Sequence, residues 1–129
     1  MIASLFVTGT DTGVGKTWVS AALLRHLVTQ GRRAVGMKPV MSGAADDARS
    51  DVAVLRAAGN VTATPAFMNP YAFTPAIAPH VAAREAGVVL DLEHLAVAFG
   101  NLAKLAEVVI VEGAGGALVP LDARHDMLD

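Results

Sequence analysis

The chain has 129 residues, 53% hydrophobic and 17% charged, with a formal net charge of −2 at pH 7 and no cysteine. That length fits one domain able to bury a core, and that hydrophobicity excludes a disordered chain. The near-neutral balance argues against a nucleic-acid-binding surface or a polybasic membrane anchor, and the lack of thiols removes disulfides, thiolate zinc sites and cysteine nucleophiles.

Residues 2–8 form a short apolar run with the β-favouring types of a buried strand. The run breaks into Gly9-Thr10-Asp11-Thr12-Gly13-Val14-Gly15, and from 16 to 30 the period becomes helical. Leu23, Leu24, Leu27 and Val28 share one stripe of that helix, opposite Arg25, His26 and Thr29; Trp18 is expected to pack its start, and Gly31 to end it. Residues 34–38 predict a second strand, stopped by Pro39 and the loop Val40-Met41-Ser42-Gly43. A short helix over 46–58 closes at Gly59. The stretch 62–79 carries Pro65, Pro70, Pro75 and Pro79 and reads as a loop with little regular structure, Pro79 opening a brief helix that ends near Gly87. Asp91 is the expected N-cap of a helix with Leu92, Leu95, Ala96, Phe99, Leu102 and Ala103 on one face. Residues 107–111 give the best strand, followed by Glu112-Gly113-Ala114-Gly115-Gly116.

Strands separated by helices predict an α/β fold, a parallel sheet flanked by helices with right-handed crossovers. Three strands are few for such a sheet, so the chain reads as the N-terminal part of a longer fold. The apolar start meets Gly9 too soon for a signal peptide, and no apolar run approaches a membrane span, so the expected location is cytoplasmic.

Strand, then Gly9-Thr-Asp-Thr-Gly-Val-Gly-Lys-Thr17, then helix is the signature of a phosphate-binding loop. Glycines let backbone N–H groups curl around a phosphate, and the helix behind points its positive end at the anion. Lys16 adds a charge for the terminal phosphates, and the Thr17 hydroxyl suits magnesium. The usual pattern has four residues between its first glycine and Gly-Lys-Thr; here Thr10 holds that position and the glycine is Gly9. A dinucleotide fingerprint starting at Gly13 fails at Trp18, and one starting at Gly113 fails at Leu118. Partitioning and division-site switch ATPases carry an extra lysine where this chain has Asp11.

Lys38 closes the second strand, where ligands of α/β sheets gather, and is either a second cation in the crevice or a solvated strand end. Ser42 faces the same choice between cleft and ordinary loop. Glu112, ending the third strand, is either a magnesium ligand facing Thr17 or an isolated acid. Among Asp46, Asp47 and Asp51 chemistry alone selects none. His26, His80, His94 and His125 show no metal spacing.

Assembled in order, these residues resemble the dethiobiotin synthetase family, whose members close the ureido ring of biotin at the expense of ATP. The likeness rests on Phe6-Val-Thr-Gly-Thr-Asp-Thr-Gly-Val-Gly-Lys-Thr17, Lys38-Pro-Val-Met-Ser-Gly43, Ser50-Asp51, Asn69-Pro-Tyr-Ala-Phe73, Ala78-Pro-His80 and Glu112-Gly-Ala-Gly-Gly116, and covers essentially the whole chain. It implies one P-loop ATP-binding ligase domain over 1–129, incomplete at its C-terminal side, with ATP and magnesium as cofactors and 7,8-diaminopelargonate and CO2 as substrates. It implies Lys38 and Lys16 as catalytic cations, and Thr17, Asp51 and Glu112 as holders of magnesium. Gly13, Val14, Gly15, Lys16, Thr17, Trp18, Asp51, Glu112, Gly113, Ala114 and Gly115 would cradle ATP, and Thr12 and Ser42 would touch the diamine. Family members are considerably longer, and the remaining half is expected to carry the adenine pocket and much of a homodimer surface. The family loop often has an acid where this chain has Gly13. Two other readings share the loop: the ATPase domain of a cobalamin-pathway amidoligase, which needs a downstream glutaminase domain, and an ATP-gated switch, against which Asp11 argues.

Overall fold

The computed structural model describes residues 3–43 and 49–129. Its elements are β1 (Ala3–Val7), α1 (Lys16–Thr29), β2 (Ala34–Met37), β3 (Val40–Ser42), α2 (Asp51–Ala58), α3 (Pro65–Met68), β4 (Tyr71–Phe73), α4 (Pro79–Glu85), α5 (Leu92–Leu105) and β5 (Val108–Glu112). The main sheet is parallel in the order β1-β5-β2, with Val7 opposite Glu112 and Met37 opposite Val111.

Side chains alternate across the sheet with a period of two, which sorts the core into two layers. Ala34, Val108 and Ile110 face α1 and α2, meeting Ala21, Leu24 and Leu55. Val35, Met37 and Val109 face the other way, against Met68 of α3 and Ala98 and Leu102 of α5. The central strand β5 is therefore covered on both sides, as its run of valines and isoleucine requires. The same alternation carries Lys38 and Glu112, two residues beyond Gly36 and Ile110, to the α1 side. A third apolar cluster joins Val40, Phe73, Ala82, Leu90, Leu121 and Met127 around β3, β4 and α4.

Several expectations need correction. β1 is not a buried strand: Leu5 is 51% and Phe6 44% exposed, because it lies at an edge of the sheet and pairs only with β5 among the described residues. The third strand of the sequence runs Val108–Glu112, one residue later than expected, so Glu112 belongs to the ladder. The proline-rich stretch 62–79 holds the one-turn helix α3 and the strand β4, and the loop after Pro39 holds β3, which pairs with β4 in parallel. Three-residue strands are too short for any alternation to register. Helix α2 begins at Asp51, where the Ser50 hydroxyl accepts a hydrogen bond from the Ala53 N–H at 3.2 Å; the expected start at Asp46, with Asp47, lies outside the described residues. Helix α5 is capped by Asp91 as expected, its side chain accepting from the Glu93 N–H, but its deeply buried positions are Ala98 and Leu102, and Ala96 is exposed. Trp18 is 79% exposed and does not pack the start of α1.

Candidate functional site

The loop between β1 and α1 is shaped by two glycines in left-handed conformation, Gly13 at φ 76° and Gly15 at φ 107°, positions that a side chain would strain. Gly15 caps α1 without any side-chain hydrogen bond, and the first turn of α1 holds no acid. The N-terminal N–H groups of the helix are thus left for an external acceptor, and the helix dipole favours an anion there. Lys16 is buried and folds back over the loop, its Nζ donating to the Asp11 carbonyl at 2.7 Å. Behind the loop the chain after β5 approaches closely. A Cβ on Gly116 would lie 2.8 Å from the Thr10 carbonyl oxygen, so only glycine fits, and the Ala117 N–H donates to the Gly9 carbonyl at 2.9 Å.

Opposite the loop, Lys38 forms ion pairs with both Asp51 and Glu112, the second at 3.0 Å. Thr17 donates its hydroxyl hydrogen to the same Glu112 oxygen, Oε1, at 2.7 Å. Glu112 is 1% exposed, and its Oε2 is buried without a hydrogen-bond partner among the described residues. A buried carboxylate of this kind is tolerated because a cation sits against it. Partial burial pushes the Asp51 carboxyl up, but the hydrogen bond and charge of Lys38, helped by Thr17 and Lys16, outweigh it and hold the group below its ordinary value. Four elements meet here: β2 ends beside Lys38, β5 delivers Glu112, α2 starts with Asp51 and α1 with Lys16 and Thr17.

Two adjoining clefts share this cluster. One of about 310 Å³ is lined by Thr12, Gly13, Gly15, Lys16, Thr17, Trp18, Lys38, Asp51, Glu112 and Gly115. The other, of about 380 Å³, is lined by Asp11, Thr12, Lys38, Ser42, Asp51, Ala76, Ile77, Ala78, Pro79, Ala114, Gly115, Gly116 and Val119. Lys38, Asp51, Thr12 and Gly115 belong to both, so an anion on the loop and a second molecule beside Ser42 would meet at Lys38. The Ser42 hydroxyl is buried with no partner among the described residues, leaving it a free hydrogen-bonding group at that wall. Val14 and Gly113 line neither cleft: Val14 is largely exposed, and Gly113 is buried beside Phe6 and Met127. Lys38 and Glu112 both line the crevice and Asp51 joins them there, while Asp46 and Asp47 lie outside the described residues. The second cleft adds Ile77 and Val119, whose apolar side chains carried no signal of a site, and Pro79 of the Ala78-Pro-His80 motif.

Thr17, Asp51 and Glu112 form an oxygen-only donor set of one hydroxyl and two carboxylates, with an unpartnered buried carboxylate oxygen among them. That composition suits a hard divalent ion such as magnesium, which takes its remaining ligands from phosphate and water. No group of three or more His, Cys, Asp or Glu residues able to enclose a metal by themselves occurs among the described residues.

The fold and the loop define an α/β domain of the phosphate-loop class, with the anion site at the carboxyl ends of parallel strands. The family model described as an AAA domain matches residues 3–129, and the chain belongs to that family. Among curated proteins, it is similar to the ATP-dependent dethiobiotin synthetase BioD of Nitrosospira multiformis, with 52% identity over 94% of this chain and 54% of that protein. The proteins of the same name from Xylella fastidiosa and Xanthomonas euvesicatoria pv. vesicatoria are each 48% identical, over 97% and 98% of this chain and 57% and 58% of theirs. The chain spans about half the length of the curated relatives it matches. No described helix is long and apolar enough to cross a membrane.

Proposed function

We propose that this chain is the ATP-binding ligase domain of a dethiobiotin synthetase, which joins 7,8-diaminopelargonate and CO2 into a cyclic urea with conversion of ATP to ADP and phosphate. The observation that carries the reading is the junction of the two clefts at Lys38, with Lys16, Thr17, Asp51 and Glu112 around it. One amine of the diamine attacks CO2 and loses a proton, giving a carbamate. A carbamate oxygen then attacks the terminal phosphorus of ATP and expels ADP. The second amine attacks the carbonyl carbon of the resulting mixed anhydride, closing the ring and releasing phosphate.

Two anions must approach each other in the second step, and neither amine nor carbamate needs a protein nucleophile. What the site must supply is position and positive charge. The loop backbone at Gly13–Gly15 and the α1 N-terminus hold the phosphates, with Lys16 over the terminal groups. Lys38 lies where carbamate and terminal phosphate meet and neutralises the charge between them. Ser42 and Thr12 orient the diamine in the second cleft. Thr17, Asp51 and Glu112 would hold magnesium, which would supply further charge neutralisation on the phosphates. The reading includes a homodimer in the cytoplasm, supported by the resemblance of the motifs. The decisive assay is phosphate release with ATP, magnesium, bicarbonate and the diamine, carried out on the protein expressed from its natural gene. Dependence on the diamine is expected; phosphate release indifferent to it would overturn the proposal.

A further inference from the structure

We infer that Asn69 is a positioning residue that fixes Lys38 at the junction of the two clefts; the inference rests on the role proposed for Lys38. Lys38 stands where the chain leaves one sheet for another. Met37 is the last residue of β2 paired with β5, Pro39 has no N–H to donate, and β3 begins at Val40 in a different sheet. Among the described residues, no ladder pairing therefore continues from Lys38 to β5.

The segment before β4 takes over. The Lys38 N–H donates to the Met68 carbonyl at 2.7 Å, and the Tyr71 N–H donates to the Pro39 carbonyl at 3.1 Å. Between them the side-chain amide of Asn69 donates twice from Nδ2, to the Lys38 carbonyl at 2.7 Å and to the Tyr71 carbonyl at 3.1 Å. Among the described residues, Asn69 is the only side chain in this stitching. Both bonds are donated by nitrogen, so a carboxylate of the same shape would set oxygen against two carbonyls. Without the amide the Lys38 carbonyl loses its side-chain partner, and small backbone shifts are amplified along the lysine side chain to Nζ. A misplacement of about 1 Å at a positioning group is enough to lower turnover roughly 100-fold.

A second asparagine provides the control. Asn60 stitches the opposite end of β2: its Oδ1 accepts from the Ala34 N–H at 2.9 Å and its Nδ2 donates to the Arg32 carbonyl at 3.0 Å. Its loss weakens the same strand far from Lys38.

The experiment compares Asn69→Asp, Asn69→Ala and Asn60→Ala in the protein expressed from its natural gene. Two readouts are taken: diamine-dependent phosphate release, and the ammonium 15Nζ signal of Lys38 in lysine-labelled protein, assigned by its disappearance in Lys38→Met. Both Asn69 variants are expected to lower kcat by about 10- to 100-fold with KM for ATP changed less than about threefold, and to shift or broaden the Lys38 signal. Asn60→Ala is expected to lower the melting temperature while leaving kcat and the Lys38 signal in place. An unchanged Lys38 signal in Asn69→Asp, or an equal change in Asn60→Ala, overturns the inference. So does failure of both Asn69 variants to fold while Asn60→Ala folds, since the amide would then serve the fold as a whole. Absence of diamine-dependent phosphate release in the wild type would sink the proposed reaction, and the ammonium signal would still decide whether Asn69 holds Lys38.

Discussion

The phosphate loop and the lysine–carboxylate cluster face each other across one cleft but are built on opposite plans. The loop takes most of its geometry from adjacent residues, with the chain after β5 packed behind it: Gly13 and Gly15 at positive φ, Lys16 folded onto the Asp11 carbonyl, and helix N–H groups left uncapped. The cluster gathers Lys38 from the end of β2, Asp51 from α2, Glu112 from β5 and Thr17 from α1, linked by the two ion pairs of Lys38 and the Thr17–Glu112 hydrogen bond. Parts of the loop can fail one at a time, whereas the cluster is a coupled unit in which removing one member strands the others.

The largest expected effect is that of Lys38→Met on the proposed reaction. Diamine-dependent kcat should fall by about 100- to 1,000-fold while affinity for a non-hydrolysable ATP analogue changes less than about threefold, because the loop remains. Equal loss of both, measured by kinetics and calorimetry, would erase the functional distinction between the two regions. The converse substitution, Lys16→Ala, should weaken binding of the analogue by about tenfold or more, the worth of one charge-assisted contact.

Coupling inside the cluster is tested by stability. Lys38→Met leaves Glu112 buried beside no cation and should cost about 3 kcal/mol in denaturant unfolding without magnesium or nucleotide. Adding Glu112→Gln removes the stranded charge, so the double variant should be more stable than Lys38→Met alone. Additive losses would show that the members act independently.

A smaller effect follows from pH. The Asp51 carboxyl lies below its ordinary value in the folded protein. The stability it contributes is therefore present above the unfolded carboxyl range, about pH 4, and is lost as pH falls through the folded value. Asp51→Asn should accordingly cost more in urea unfolding at pH 7 than at pH 3, and an equal cost at both would remove Lys38 as the cause. The smallest effect is expected for Trp18→Ala, which should alter stability by less than about 0.5 kcal/mol because the ring is exposed.

The sequence by itself determined the elements whose chemistry is local. The glycine spacing and the helical period after Lys16 mark the loop and α1, Asp91 marks the start of α5, and the run at 107–111 marks the central strand to within one residue. It also placed Lys38 and Glu112 at strand ends, but not what they touch. Tertiary structure decided that β1 is an exposed edge, that β3 and β4 pair although Val40 and its partner Tyr71 are far apart in the chain, and that Trp18 faces outward. It also supplied the contact of Asp51, because Ser50 caps α2 and that carboxylate pairs with Lys38. The physical reason is range: backbone conformation and helix capping are fixed by neighbours in sequence, whereas ion pairing and burial are fixed by neighbours in space.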